Sequence, residues 1–333
     1  MWSLALLPLV AGCAKNEAPR PDKNDEAVHA DATPPRAALD TKDEAVGRDT
    51  TPPLLSLSLP IPLNVPGVPT QSTGVFVPNN YRVGPTIDLV VFLRGYDINR
   101  PNTATSVREY WDSPEHPILK SFLFREEVNK SGKNVILAVP TLGPFAEAGN
   151  LKDDGGPQEF LDRILDGLWR NGPHARLATR PTVRHLILAA HSGGGVPLRQ
   201  IARILGDDDA CREKLKACWG FDSIYGVKDR DAEFWSDWAE RHPATAVTMF
   251  YIFTQKDVGK DPKLPVGPDN PLDHREPTGT TFPATELERL ANARMLTNVT
   301  VVRQTKESTL NHTDVPRAHL ADLLRGATYL DDR

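Results

Sequence analysis

Cysteine, long apolar runs and charge of one sign are all scarce in this chain of 333 residues, which holds three cysteines. Beyond the first dozen residues no apolar stretch approaches the roughly 20 residues needed to cross a bilayer, so the body of the chain is expected to be soluble. Lys and Arg number 39 against 44 Asp and Glu, for a net charge of −5 and a pI near 6.0. The basic residues form no stripe or block that would follow a phosphate backbone, which excludes nucleic acid as an expected partner. No Cys, His and carboxylate spacing suggests a metal site. No lysine follows a glycine-rich loop in Walker fashion and no G-x-G-x-x-G occurs, so a phosphate-binding loop is not indicated. There is no internal repeat. The length suffices for one large α/β domain or two small ones around a sizeable core.

What is present begins with an apolar stretch, Met1 to Gly12, too short to span a membrane and ending in small residues before Cys13. It reads as an export signal. Val10-Ala11-Gly12-Cys13 resembles the bacterial lipobox, which implies cleavage before Cys13, lipidation of that residue, and anchoring in the cell envelope at the outer membrane or periplasmic face, or else secretion. The absence of Lys or Arg ahead of the apolar stretch departs from the pattern. Residues 14–53 are rich in Asp, Glu, Lys, Ala and Pro and nearly empty of large apolar residues, so they cannot offset their ordering entropy and read as a disordered tether. Such a coil would hold the body roughly 35 Å from the anchor. Residues 54–73 alternate apolar residues with prolines and read as an extended arm; the folded domain is expected over 74–333.

From Gly74 the chain alternates short apolar runs with helical segments, as in a mostly parallel sheet with crossover helices. Strands are expected at Gly74 to Pro78, Ile87 to Leu93, Asn134 to Val139, Val183 to Ala190, Ala217 to Phe221, Ala246 to Thr254 and Val299 to Gln304. Leu161, Ile164, Leu165 and Leu168 share one face of a helix. The most informative run is Val183 to Leu198, where an apolar strand enters the small-residue turn Ala190-His191-Ser192-Gly193-Gly194 and a helix follows with Leu198, Ile201 and Leu205 on one stripe. This pattern is a nucleophile elbow, in which residues two before and two after the serine must be small. Pro197 is tolerated in the first helical turn.

Together with Gly74-Val75-Phe76-Val77-Pro78, Tyr81 and Val90-Val91-Phe92-Leu93-Arg94-Gly95-Tyr96, the elbow resembles the α/β-hydrolase superfamily over about residues 74–328, with an opening similar to secreted esterases related to polyhydroxyalkanoate depolymerases and feruloyl esterases. The resemblance implies a mostly parallel central sheet with helices on both faces, no cofactor, and a small-molecule or polymeric ester substrate attacked by Ser192. A serine hydroxyl needs an adjacent base oriented by a carboxylate. His312, on the loop between the last strand and the last helix, stands where the superfamily places that base; Asp314 or Thr313 is expected to cap the helix. Of the other histidines, His29 lies in the tether, His116, His174 and His242 in polar or proline-flanked loops, and His319 inside the last helix. His191 is expected to point away from the serine, since neighbouring side chains on the turn diverge.

The oxyanion hole would take one N–H from Gly193 and one from Arg94-Gly95-Tyr96, which resembles the superfamily's His-Gly motif with arginine in place of histidine. The Arg94 guanidinium is expected either to bias the site toward anionic acyl groups or to lie on the surface at a strand end. Two residues compete as the acid. Asp257 occupies the superfamily's commoner position but is flanked by Lys256 and Lys260, whereas Asp222 precedes a compact turn with Ser223, Tyr225 and Gly226 that favours a buried, fixed carboxylate. Asp222 is preferred and Asp257 is the alternative. The segment Asp257 to Pro283 is expected to shape the substrate pocket. Cys211 and Cys218, about 10.5 Å apart along a continuous helix, pair only if the chain turns between them. A binding protein on a hydrolase scaffold, or an acyltransferase or peptidase with the same triad, remain alternatives.

Overall fold

The computed structural model describes residues 38–39, 55–65, 68, 72–96, 124–225, 230–253, 279–304 and 310–333, all within one compact unit, Arg36–Arg333. Cys13 and its signal, most of the tether, Asp257 and most of the segment that follows it lie outside the described residues.

Nine strands form one sheet: β1 (Ala38–Leu39), β2 (Leu55–Leu59), β3 (Thr73–Val77), β4 (Thr86–Leu93), β5 (Val135–Pro140), β6 (Thr182–His191), β7 (Leu215–Phe221), β8 (Ala246–Ile252) and β9 (Val299–Gln304). Their spatial order is β1-β2-β3-β5-β4-β6-β7-β8-β9. From β5 to β9 every neighbouring pair is parallel; β1, β2 and β3 are joined by antiparallel pairings, and β3 meets β5 antiparallel. Each of the seven expected strands is present, with ends shifted by at most two residues. The structure adds β1, inside the stretch read as a tether, and β2, inside the stretch read as an arm. In β2 the alternation Leu55-Ser56-Leu57-Ser58-Leu59 is a period-2 signal that the surrounding prolines obscure. Leu57, Leu59, Ile61, Leu63, Val65 and Val68 are buried in the main core, so the packed body starts upstream of Gly74.

The central strands are apolar on both sides because both faces are covered. Ile87, Leu89, Val91 and Leu93 of β4 and Leu186, Leu188 and Ala190 of β6 face one layer. Val90 and Phe92, with Ile187 and Ala189, face the other. On this second face lie α1 (Phe124–Ser131) and, at the end of the chain, a helix over Val315–Gly326, through Phe124, Val128, Leu320 and Leu324. The first face carries α2 (Gly156–Asn171), α3 (Gly195–Asp207), α4 (Asp231–Arg241) and α5 (Thr281–Ala293), and the C-terminal helix is α6. None of the described helices is long and apolar enough to cross a membrane.

One local expectation changes. Neither Thr313 nor Asp314 caps α6 through its side chain; instead Asn311 and Asp314 form a capping box around the 3-10 turn His312–Asp314. The loop histidines His174 and His242 are buried, His174 against the Tyr81 hydroxyl at 3.3 Å, and burial lowers the pKa of each. Cys211, in a short helical turn after α3, and Cys218, on β7, are buried free thiols. Burial raises the Cys211 pKa to about 11.

Candidate active site

At the end of β6 the chain turns into α3 through Ser192, whose φ of +54° lies in the left-handed region that side chains rarely adopt. Such a conformation persists only where the surroundings impose it. Here they do. A Cβ on Gly194 would stand 2.5 Å from the carbonyl oxygens of Leu93 and Arg94, so the elbow presses directly on the end of β4. A Cβ on Gly95 would overlap the Ser192 side chain and lie 3.0 Å from its Oγ. Ser192 is thereby lifted above the carboxyl ends of the parallel strands, with the Gly95 backbone beside its hydroxyl.

Asp222 directly follows β7, also with a left-handed φ of +48°, and is buried. Its Oδ2 accepts the Nδ1–H of His312 at 2.6 Å, while Oδ1 accepts from the Ile252 N–H at 3.1 Å and from the Thr280 hydroxyl. Burial alone would raise the Asp222 pKa, but the hydrogen bond and charge of His312, with Thr280 and Ile252, hold it below the ordinary carboxylate range. With Nδ1 protonated, Nε2 carries the lone pair, which is the tautomer a base requires. The Tyr225 ring stands edge-on to His312 with centroids 6.4 Å apart, and its hydroxyl interacts with Ser192. Burial and the Asp222 carboxylate raise its pKa, so the phenol stays neutral.

His312, Asp222 and Thr280 therefore come together, and Tyr225 stands against both His312 and Ser192. Tyr225 was visible in the sequence only as part of the turn after Asp222. Thr280 lies 58 residues from Asp222 and left no signal. Asp257 is outside the described residues.

Arg94 departs from both sequence expectations, since it neither faces a substrate pocket nor lies on the surface. It is fully buried, donating from Nη1 to the Gly95 carbonyl at 3.0 Å and from Nη2 to the Leu142 and Gly143 carbonyls at 2.8 and 2.9 Å. The reason is geometric. The backbone leaving β5 presents two carbonyls toward the end of β4, and a planar guanidinium can satisfy them together with Gly95. Tyr96 lays its ring over Gly193 and meets Phe145 edge-on at 5.9 Å; both aromatic rings are half exposed at the mouth of the site. No group of metal-ligating side chains occurs among the described residues.

A mostly parallel sheet whose order reverses across β4, a left-handed serine at a strand-to-helix elbow, and a histidine between the last strand and last helix decide the architecture. The fold is that of the α/β-hydrolases. No family model and no curated protein sequence matches the chain. Among solved structures, it is similar to a siderophore hydrolase, EstB, from Aspergillus nidulans, with 12% identity and a TM-score of 0.43 over 84% of this chain and 96% of that one. It is also similar to a dienelactone hydrolase from Anabaena variabilis, with 14% identity and a TM-score of 0.36 over 81% and 96% of the two chains. An esterase, Est2, from Thermogutta terrifontis gives 11% identity and 0.38 over 78% and 89%.

Proposed function

We infer that the protein is a serine hydrolase cleaving an ester or related acyl bond of a small-molecule or polymeric substrate through an acyl-enzyme on Ser192. The observation that carries this reading is the 2.6 Å contact between His312 Nδ1 and Asp222 beside a serine held at φ +54°. His312 Nε2 takes the Ser192 proton as Oγ bonds to the acyl carbon, and the imidazolium that forms is stabilised by the Asp222 carboxylate. The Gly193 N–H and the backbone at Gly95-Tyr96 are the groups available to the oxyanion. His312 then gives the proton to the leaving alcohol. In the second half a water loses its proton to His312 as it attacks the acyl carbon, and His312 returns that proton to the departing Ser192 Oγ, which releases the acid and free Ser192. These steps need no cofactor.

A serine-directed fluorophosphonate probe and a panel of p-nitrophenyl esters of increasing acyl length test this. Wild type should be labelled and active, and Ser192→Ala should lose both while keeping its thermal melt, because alanine fits the elbow. Undiminished labelling of Ser192→Ala would sink the assignment, as would ordinary activity in His312→Ala.

A further inference from the structure

His191 is the last residue of β6, and strand alternation sends its side chain to the same sheet face as Ile187 and Ala189, away from Ala190. That is the face on which α6 packs, and His312 opens the turn into α6. The side chain next to the nucleophile in sequence thus runs under the loop that bears His312. His191 is 4% exposed, its Nε2 lies 2.9 Å from the His312 carbonyl oxygen, and the two imidazole rings stand with centroids 4.4 Å apart and planes tilted by 37°. A carbonyl oxygen only accepts, so Nε2 of His191 carries the proton.

We propose that His191 is a positioning residue for His312: its Nε2–H fixes the backbone of the histidine loop while its ring backs the His312 imidazole, leaving that ring's Nδ1 on Asp222 and its Nε2 toward Ser192. The geometry divides the work. Asp222 holds one ring nitrogen, and His191 holds the main chain from which the ring hangs, so the imidazole cannot swing away without breaking one of the two bonds. A general base displaced by about an ångström can cost about a hundredfold in rate. Burial first, and then the His312 charge, push the His191 pKa down to about 3, against the weaker opposing effects of its hydrogen bond to the His312 main chain and of Asp222, so the donor stays neutral at neutral pH.

This inference rests on the hydrolase reading, and two substitutions with one spectroscopic measurement keep their failures apart. His191→Phe keeps an aromatic ring and removes the donor; His191→Gln places an amide N–H near the lost Nε2–H. For a soluble p-nitrophenyl ester, His191→Phe should lower kcat and the rate of fluorophosphonate labelling by about tenfold or more, leave KM within about twofold, and shift the acidic limb of the kcat–pH profile. His191→Gln should recover most of the loss. In 15N-histidine spectra, wild-type His191 should be a neutral Nε2–H tautomer, and the His312 signals should shift or broaden in His191→Phe. Wild-type kcat and pH profile in His191→Phe, or equal impairment of both variants, would overturn the proposal. If wild type takes no label at Ser192, the hydrolase reading fails instead; unchanged His312 signals in His191→Phe would then reject the positioning role, and displaced signals would uphold it.

Discussion

At Asp222 one carboxylate gathers donors from three separate places in the chain: the His312 ring, the Ile252 main chain and the Thr280 hydroxyl. Losing the carboxylate should cost far more than losing one donor to it. Asp222→Asn is expected to lower kcat by about ten-thousand-fold, by favouring the wrong imidazole tautomer. Thr280→Val should lower it by only about tenfold, since His312 and Ile252 still hold the carboxylate. Steady-state kinetics on the two variants decide it, and a Thr280→Val loss as large as that of Asp222→Asn would refute this ordering. His191 makes a separate prediction in stability. Its native pKa of about 3 lies below the ordinary 6.5, so as pH falls the unfolded chain takes up this proton first. The folded state therefore loses stability from about pH 6.5 down toward 3, and His191→Gln removes that share. Melting temperatures of the variant should fall less steeply than those of wild type between pH 6.5 and 4.

Between elements, the site depends on how closely three strand ends approach. The end of β4 reaches the elbow after β6 with no room for a side chain at Gly194, and Arg94 ties the same end of β4 to the backbone leaving β5. Arg94→Met fills similar space but abandons three carbonyls, so it should lower kcat by about tenfold to a hundredfold with a smaller effect on KM. If Arg94→Met instead raised KM selectively for anionic esters, the guanidinium would have a direct role toward substrate. The elements themselves were largely legible, because the parallel strands are short apolar runs and the elbow is a strand followed by small residues. β2 was less so, because prolines flank its five residues, and β1 has only two residues to carry any pattern.

Across the whole molecule, the far end of the sheet is closed by the C-terminus. Asp88 of β4 is buried and accepts from Arg184 Nε and Nη2 at 2.9 and 2.5 Å, and Arg184 also reaches Asp331 at 2.8 Å. The Arg333 N–H then bonds the Gly132 carbonyl at 2.9 Å. Asp88→Ala leaves a partly buried arginine without its main partner and should cost on the order of 2–4 kcal/mol in a denaturant melt, with little effect on the kcat of the remaining folded enzyme. At the other terminus, lipidation of Cys13 remains a proposal. Metabolic labelling with a fatty-acid analogue should mark wild type and miss Cys13→Ser, and an unlabelled wild type would rule the anchor out. The amino-acid sequence by itself determined the alternating strands from Gly74 to Gln304, the elbow at Ser192 and the place of His312 before the last helix, because apolar periodicity and small-residue turns are local signals. Only the tertiary structure decided that Asp222 meets His312 across 90 residues, that Thr280 supports it, that His191 lies under the histidine loop across 121 residues, and that Arg94 is buried. Such contacts depend on where the sheet order brings distant loops, and no periodicity along the chain records that.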